Sequence, residues 1–192
     1  MANEGLRERS KARRREAILR AAYQLFAEQG FEVTTIAEVA ERAEVSARTV
    51  TLYFPSKLDL ALDRFTSMAD RLAQVLRERR PGRLAVDALE DWVRDKLADP
   101  DELDDLSDRM FDLNPQLKAV ANARLADVVE EGARLLAQER GADPGDFGPR
   151  MAAAAAAAVI SELCHRPEAA DIDTAMRFLR AGLATLPEPG EG

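Results

Sequence analysis

The sequence predicts an all-α protein in which a small N-terminal three-helix unit is joined by a long helix to a larger helical part. Along most of the 192 residues, apolar side chains recur every three or four positions, and no segment alternates as a strand does. Hydrophobic residues make up 46% of the chain but aromatic residues only 5%, a composition suited to helices that pack through aliphatic side chains.

The N-terminal end starts with a basic segment and continues into an amphipathic helix. The segment 1–15 contains six basic side chains: Arg7, Arg9, Lys11, Arg13, Arg14 and Arg15. They form either a basic arm that contacts nucleic-acid phosphates or a frayed, solvated terminus. From Ala17, apolar residues follow helical spacing as far as Gly30, which is suited to the end of a helix.

The segment 34–57 predicts two short helices, each with its own N-cap. Thr35 followed three residues later by Glu38 is a capping-box pattern, which begins the first helix. Ser46 is a second N-cap and begins a helix over residues 47–53. Two capped helices this close together are typical of a helix-turn-helix, whose second helix lies in the major groove of DNA.

The crossing of these two helices requires a small residue. Ala40 is placed to let them approach closely, and Val45 and Val50 are placed to fill the contact. The second helix would then present its N-terminal side chains to the edges of the bases.

Residues in and around this pattern resemble the tetracycline-repressor (TetR) family of one-component bacterial regulators. The resemblance covers about the first third of the chain and is carried by Ala21-Ala22, Leu25-Phe26, Gly30-Phe31, Thr34-Thr35-Ile36, Ala40, Val45-Ser46, Thr49, Tyr53-Phe54 and Ser56-Lys57. Two positions depart from the family pattern, because Glu44 stands where a turn glycine is usual and Thr51 where an aromatic residue is usual. Glycine is preferred in such turns because they often need a positive φ.

Arg48 is the candidate for reading a base, because a guanidinium can donate two hydrogen bonds to guanine. Ala47 and Leu52 are candidates for contact with thymine methyl groups, and Thr51 for a hydrogen bond to a phosphate or a base. The alternative for Leu52 is plain packing, but Val50 already occupies an inward position.

The DNA backbone is expected to be contacted by a second set of residues. Thr35 and Lys57 lie at helix starts, where an anion is favoured, although capping alone would also explain Thr35. The resemblance implies backbone contacts from Thr49 and Tyr53. The complete predicted DNA-binding set is Thr35, Ser46, Ala47, Arg48, Thr49, Thr51, Leu52, Tyr53 and Lys57.

The rest of the chain is also expected to be helical. Ser56 can cap a long linking helix that continues to Pro81-Gly82. Further helices are predicted over about residues 83–99, 102–113, 115–140, 150–165 and 173–186. Asn114 is expected to cap the helix that starts at Pro115.

The alanine run 152–158 has two interpretations. Alanine is the best helix former, so the run can simply mean a stable helix. Small side chains also allow helices of two subunits to approach closely. We favour an interface, because two-fold symmetric DNA readers need a partner subunit. We therefore expect a homodimer formed through the last two helices, 150–165 and 173–186.

The resemblance implies an effector pocket enclosed by the helices between Leu58 and Gly141, whose occupation weakens operator binding. The large, adaptable side chains available to line it are Phe65, Met68, Trp92, Met110 and Phe111. Each is more often an ordinary core residue, because cores show the same apolar stripes. An apolar lining would suit a small hydrophobic molecule.

The net charge of −8 is distributed unevenly along the chain. Residues 1–57 carry ten Lys and Arg against eight Asp and Glu, whereas residues 58–192 carry 17 against 27. The first part is therefore weakly basic, and the acidic remainder would repel DNA from other faces. We accordingly expect a DNA-binding domain over residues 1–57 and an effector-binding and dimerisation domain over residues 58–192.

Enzymatic functions find no support in the sequence. The acidic segment 99–108 lacks the glycine and terminal glutamate of a calcium-binding loop, and Cys164-His165 has no third orienting residue. We expect no catalytic residue, metal or cofactor. With a single cysteine and no apolar run long enough to span a membrane, we expect a cytoplasmic protein without membrane contact.

Two classes of function remain. The first is a ligand-responsive transcriptional regulator, in this family most often a repressor, that binds a palindromic double-stranded DNA operator as a homodimer and is released by a small hydrophobic effector. The second is a helical protein-interaction module that keeps the fold without sequence-specific DNA binding, an interpretation based on Glu44, Thr51 and the acidic total.

Overall fold

The computed structural model describes residues 2–99, 101–165 and 171–186, and within these ranges it is helical without strands. The helices are α1 (Ala2–Glu28), α2 (Ile36–Arg42), α3 (Ala47–Tyr53), α4 (Lys57–Arg77), α5 (Ala85–Ala98), α6 (Glu102–Leu113), α7 (Pro115–Arg140), α8 (Phe147–His165) and α9 (Ile172–Ala184). The predicted all-α class is therefore confirmed. None of the described helices combines the length and the apolarity needed to cross a bilayer.

Two helices extend further toward the N-terminus than the sequence predicts. Helix α1 starts at Ala2, so the basic segment is helical, as its many Arg, Glu and Ala residues favour. Helix α8 starts at Phe147 and accommodates Pro149 in its first turn, where an unpaired backbone nitrogen costs nothing.

The chain divides into two compact units. The first unit contains Met1–Thr66 and Asp101–Ala121, and the second contains Ser67–Pro100 and Asn122–Gly192. This division differs from a boundary at residue 57, because α6 and the start of α7 share a core with α1 to α4. The functional division into 1–57 and 58–192 stays a prediction.

The core of the first unit is organised around the apolar face of α1. Ile18, Ala22 and Phe26 are buried on this face, and the Phe26 ring lies 5.3 Å from that of Phe31. The other helices contribute Val39, Val50, Leu60, Leu62, Leu103, Met110 and Leu117 to the same cluster. The helix-turn-helix thus packs against α1 and against residues of α4, α6 and α7 in one shared core.

The core of the second unit joins the end of α4 to α5, α7, α8 and α9. Its buried members include Leu72, Leu76, Val86, Leu89, Val93, Leu136, Ile160, Leu163, Met176 and Leu179. Most are aliphatic, as the low aromatic content predicts.

Candidate nucleic-acid interface

Helix α2 begins with the capping box that the sequence predicts. Oγ1 of Thr35 accepts a hydrogen bond from the Glu38 backbone N–H at 3.2 Å, and the Glu38 carboxylate accepts one from the Thr35 backbone N–H at 2.7 Å. The Thr35 backbone bond is the largest cause that holds the pKa of Glu38 below its ordinary value. Oγ1 of Thr35 also donates to the same carboxylate at 2.8 Å. A DNA phosphate would therefore compete with Glu38 for this hydroxyl.

The turn between α2 and α3 holds one residue in an unfavourable backbone conformation. Glu44 has a φ of 53°, and no other non-glycine residue among those described has a positive φ. Backbone bonds close the turn, from Glu44 N–H to the Glu41 carbonyl at 3.1 Å and from Val45 N–H to the Ala40 carbonyl at 2.9 Å. The expectation that this turn needs a positive φ is confirmed, and here a residue with a Cβ supplies it.

The inner side of α3 packs against α2 and contributes Val50 to the core that also contains the buried face of α1. Val50 is fully buried, and Ala40 of α2 is buried at the crossing as the pattern predicts. The Ser46 Oγ accepts the Thr49 backbone N–H at 3.0 Å, which caps α3. These contacts fix both the start of α3 and the side that it turns outward.

The outer side of α3 is open to solvent. Ala47, Arg48, Thr51 and Leu52 are exposed, and Leu52 is 82% exposed, so it is not a core residue. The Arg48 side chain forms no hydrogen bond or ion pair within the described part of the chain. A free guanidinium and an exposed apolar side chain on one short helix are what direct contact with base edges requires.

The hydroxyl groups of α3 have local partners. Oγ of Ser46 and Oγ1 of Thr49 lie 2.8 Å apart, and Oγ1 of Thr51 donates to the Arg48 carbonyl at 3.1 Å. Tyr53 is half-buried, with its ring 6.4 Å from that of Phe54. The predicted contacts of these residues with DNA stay predictions.

Lys57 is already engaged within the protein. Its ammonium donates to the carbonyls of Phe31, Glu32 and Thr34 at 2.7, 3.1 and 2.9 Å. It also lies 4.4 Å from the centre of the Phe31 ring, a cation–π distance. All three ammonium protons therefore have acceptors within the protein. A contact with a DNA phosphate would need at least one of these protons to be free.

Basic residues of α1 behave in two ways. Arg13 and Arg14 are exposed, whereas Arg15 binds Asp63 of α4 at 2.5 Å and lies 5.3 Å from the Phe54 ring. Burial raises the pKa of the Asp63 carboxyl, and the charge of Arg15 opposes this shift. Arg15 thus joins α1 to α4, while the exposed Arg13 and Arg14 remain available for a polyanion.

Asn114 is a residue whose role the sequence did not reveal. It stands before Pro115 as a cap would, but its amide group bonds elsewhere. Nδ2 donates to the carbonyls of Phe26 and Met110 at 3.0 and 2.7 Å, and Oδ1 accepts the Phe31 N–H at 2.7 Å. These bonds could not be found from the local sequence, because Phe31 lies 83 residues away from Asn114. The burial of the Asn114 side chain is the one feature that indicates them.

The predicted effector-pocket residues fall into both compact units. In the first unit, Met110 is fully buried in the core, and the Phe111 ring meets the half-buried Phe65 ring at 6.3 Å, edge to face. In the second unit, Trp92 is half-buried against the core and Met68 is also half-buried. Met110 and Phe111 therefore act as core residues, the alternative that the sequence left open, and the pocket stays a prediction.

A metal-binding cluster is not assembled in the described part of the chain. No cluster of three or more His, Cys, Asp or Glu suited to a metal occurs there. Cys164 is half-buried and forms no disulfide, and the His165 side chain lies outside the described residues.

Comparisons with known proteins agree with this geometry. The family model of bacterial regulatory proteins of the tetR family matches residues 18–63. This range contains α2 and α3, the later part of α1 and the start of α4. The transcriptional regulator TcmR of Streptomyces glaucescens is 31% identical over 165 residues, covering 81% of this chain and 73% of TcmR. RutR of Escherichia coli K12 is 32% identical over 93 residues, covering 48% of this chain and 44% of RutR.

The fold is shared with solved structures. The crystal structure of NalD, the secondary repressor of the MexAB-OprM multidrug efflux pump in Pseudomonas aeruginosa, matches with a TM-score of 0.59. The match covers 92% of this chain and 96% of NalD at 23% identity, so it shows the fold alone. The fold and the exposed recognition helix define a DNA-binding transcriptional regulator. The chain belongs to the tetR family of bacterial regulatory proteins.

Proposed function

We propose that this protein is a repressor that binds a palindromic operator as a homodimer and is released by a small hydrophobic effector. The observation that carries the proposal is the outer side of α3, where Arg48 has no partner among the described residues and Leu52 is 82% exposed. The direction of regulation is taken from the family resemblance, which implies a repressor.

In this proposal different side chains of α3 contact different groups of the DNA. Arg48 reads a guanine, Ala47 and Leu52 contact thymine methyl groups, and Thr51 exchanges its intrahelical bond for one to DNA. The backbone contacts come from the remaining predicted residues: Thr35, Ser46, Thr49 and Tyr53. Lys57 has a competing role, because its ammonium donates to three loop carbonyls.

The proposed dimer is formed through α8 and α9. Large apolar side chains are exposed on both helices: Phe147 is 78%, Met151 45% and Phe178 64% exposed. The alanine run of α8 adds the exposed Ala154 beside them. Exposed apolar groups on neighbouring helices mark an interaction surface, and a second copy of the chain supplies the symmetry that a palindrome needs.

The residues predicted to contact the proposed effector all lie on helices that follow α3. Phe65, Met68 and Trp92 are half-buried, whereas Met110 and Phe111 are buried in the core of the first unit. Effector binding shifts the population from a DNA-competent to a DNA-incompetent arrangement of the two recognition helices.

The proposal is tested by selecting bound duplexes from a random-sequence pool and measuring their affinity by fluorescence anisotropy. Wild type, Arg48→Ala and Arg109→Ala would be compared on the selected duplex and on a scrambled one. Arg109 is an exposed arginine of α6 and serves as the matched control.

We expect a palindromic selected site, with the preference over scrambled DNA lowered by about 1–3 kcal/mol in Arg48→Ala and unchanged in Arg109→Ala. If no sequence is enriched, operator recognition is excluded. If both arginine variants lose affinity equally on all DNA, Arg48 is a general electrostatic contact and not a base reader.

A further inference from the structure

The loop between α1 and α2 connects the helix-turn-helix to α1 and so affects its orientation relative to that helix. It starts at Gly30, which has a φ of 95°, and ends at the buried Thr34. Oγ1 of Thr34 donates to the Gly30 carbonyl at 2.7 Å, which closes the loop on itself. Because α2 begins at Ile36, two residues after this loop, we expect a change in the position of the loop to move α2 and the α3 helix packed on it.

Lys57 holds this loop from the start of α4. Its ammonium reaches three loop carbonyls between 2.7 and 3.1 Å, of Phe31, Glu32 and Thr34, and its cation–π contact covers the Phe31 ring. An ammonium has three donors and no acceptor, so this set of bonds uses its full capacity. A phosphate could be contacted only by giving up some of these charge-assisted bonds.

Asn114 holds the same loop from the junction of α6 and α7. The side chain is 2% exposed, so water cannot replace its partners. Its amide bonds the last part of α1 at the Phe26 carbonyl, the loop at the Phe31 N–H and α6 at the Met110 carbonyl. Phe31 is therefore bonded through its N–H to Asn114 and through its carbonyl to Lys57.

Helix α6 is itself fastened to the DNA-binding helices. Arg64 of α4 binds Asp101 at 2.8 Å and Asp104 at 2.5 Å, and Arg20 of α1 pairs with Glu102. The pKa of Arg64 lies above its ordinary value, although desolvation opposes the effect of these carboxylates. The helix that directly precedes Asn114 is thus itself joined to α1 and α4 by ion pairs.

We propose that Lys57 and Asn114 are positioning residues that clamp the loop 30–34 and thereby set the orientation of α3 for operator binding. Lys57 acts through the loop carbonyls and not through a DNA phosphate. This inference rests on the proposed operator binding. It makes the α6–α7 junction, more than 50 residues after α3 in the sequence, a determinant of DNA affinity.

The salt dependence of operator binding distinguishes the two roles of Lys57. A lost phosphate contact reduces the slope of log K against log salt by about 0.9 for each phosphate. For Lys57→Met we expect a fall in operator affinity of about tenfold, the cost of a misplaced base contact, with an unchanged slope. Lys118→Met, which removes an exposed lysine of α7, is the control and should change neither. A smaller slope in Lys57→Met would overturn the assignment.

Asn114 is tested with Asn114→Leu, which removes all three bonds, and with Asn114→Asp, which retains the acceptor for the Phe31 N–H. Both are measured at a temperature where circular dichroism shows them fully folded, with Asn122→Leu as an exposed control. We expect lower operator affinity and faster hydrogen exchange at the Phe31 amide, with Asn114→Asp less affected in exchange than Asn114→Leu. If Asn114→Leu fails to fold, Asn114→Asp and Lys57→Met still test whether the clamp determines operator affinity.

Folded variants that bind the operator as tightly as wild type would show that the clamp is merely structural, and the inference would fail. Unprotected exchange of the Phe31 amide in wild type would show that the clamp is not formed. If instead wild type binds no specific duplex while that amide is protected, the proposed function fails and the clamp does not.

Discussion

Helices α3 and α9 each bury one side and expose the other, but their exposed sides differ in chemistry. On α3 the outer side carries Leu52, small polar residues and Arg48, which is unpaired among the described residues. On α9 it carries the 64% exposed ring of Phe178 beside two arginines, Arg177 and Arg180, that are bonded within the protein. A cationic, hydrogen-bonding surface suits a nucleic acid, and an aromatic surface beside alanines suits another protein chain. Once the buried side of a helix is known, the chemistry of its exposed side therefore indicates the type of partner that it binds.

The two helices are also held in different ways. α3 is held by apolar packing at Val50, by its cap and by the closed turn before it. α9 is held by buried Met176 and Leu179 and also by ion pairs to α5, in which Arg180 contacts Asp87 at 2.5 Å and Glu90 at 2.7 Å. The attachment of α9 should therefore be sensitive to pH and salt, and that of α3 to side-chain volume.

The largest effect is expected from placing a charge on the outer side of α9. In Phe178→Glu a carboxylate would be buried without a partner in the proposed dimer, which weakens association by about 100-fold or more. Light scattering coupled to size-exclusion chromatography measures the change over a concentration series. Leu113→Glu is the matched control, because Leu113 is 62% exposed but lies outside the proposed interface. A Phe178→Glu variant that dimerises as wild type does would remove α9 from the interface.

The next effect tests the volume sensitivity of the α2–α3 crossing. Ala40→Leu adds a larger side chain at a buried contact and should lower the free energy of unfolding by about 1–3 kcal/mol. Ala37→Leu makes the same change on the exposed side of α2 and should stay within about 0.5 kcal/mol of wild type. Urea titration of both variants gives the comparison, and equal destabilisation would show that the crossing is not closely packed.

The sequence could predict those parts of the fold that depend on local contacts. The starts of α2 and α3 were predicted correctly because Thr35 and Ser46 cap helices within three residues of themselves. The packing of Ala40 and Val50 followed from helical spacing. The positive φ at Glu44 was anticipated because the resemblance placed a turn glycine there.

Contacts between distant residues could not be predicted in this way. Asn114 precedes α7 as predicted, and its carbonyl accepts the Leu117 N–H at 2.9 Å, but its side-chain bond to Phe31 leaves no trace in the surrounding sequence. Lys57 is predicted to contact a DNA phosphate, and the sequence does not show that three carbonyls converge on its ammonium. Met110 illustrates the ambiguity of apolar stripes, which look the same in a core and in a pocket.

A smaller effect is expected in the turn before α3. Glu44→Gly relieves the cost of a positive φ but increases the entropy of the unfolded chain, so the free energy of unfolding should rise by only about 0.5–1 kcal/mol. Glu41→Gly, within α2, should instead lower it by about 1 kcal/mol. Opposite signs in the two variants, measured by urea titration, would support the backbone origin of the effect, and destabilisation by both would contradict it.

The smallest effect concerns the ion pairs that attach α9 to α5. Hydrogen bonds from Arg180 first, and then from Arg94, hold the pKa of Glu90 below its ordinary value of 4.5. Since the folded-state pKa is the lower one, the stabilisation by this carboxylate is complete above pH 4.5 and is lost as the pH falls through the folded-state value. Glu90→Gln removes the titrating group but leaves the neighbouring helices in place.

We therefore expect Glu90→Gln to lower Tm by about 1–3 °C at pH 6, the range for a partly exposed ion pair, and by progressively less toward pH 3. Glu130→Gln, an exposed carboxylate of α7, is the control and should keep the pH dependence of wild type. Differential scanning calorimetry from pH 3 to 6 measures both. A Glu90→Gln difference that does not shrink on acidification would mean that α9 is held by its apolar side alone, and the contrast between α3 and α9 would then be confined to their outer surfaces.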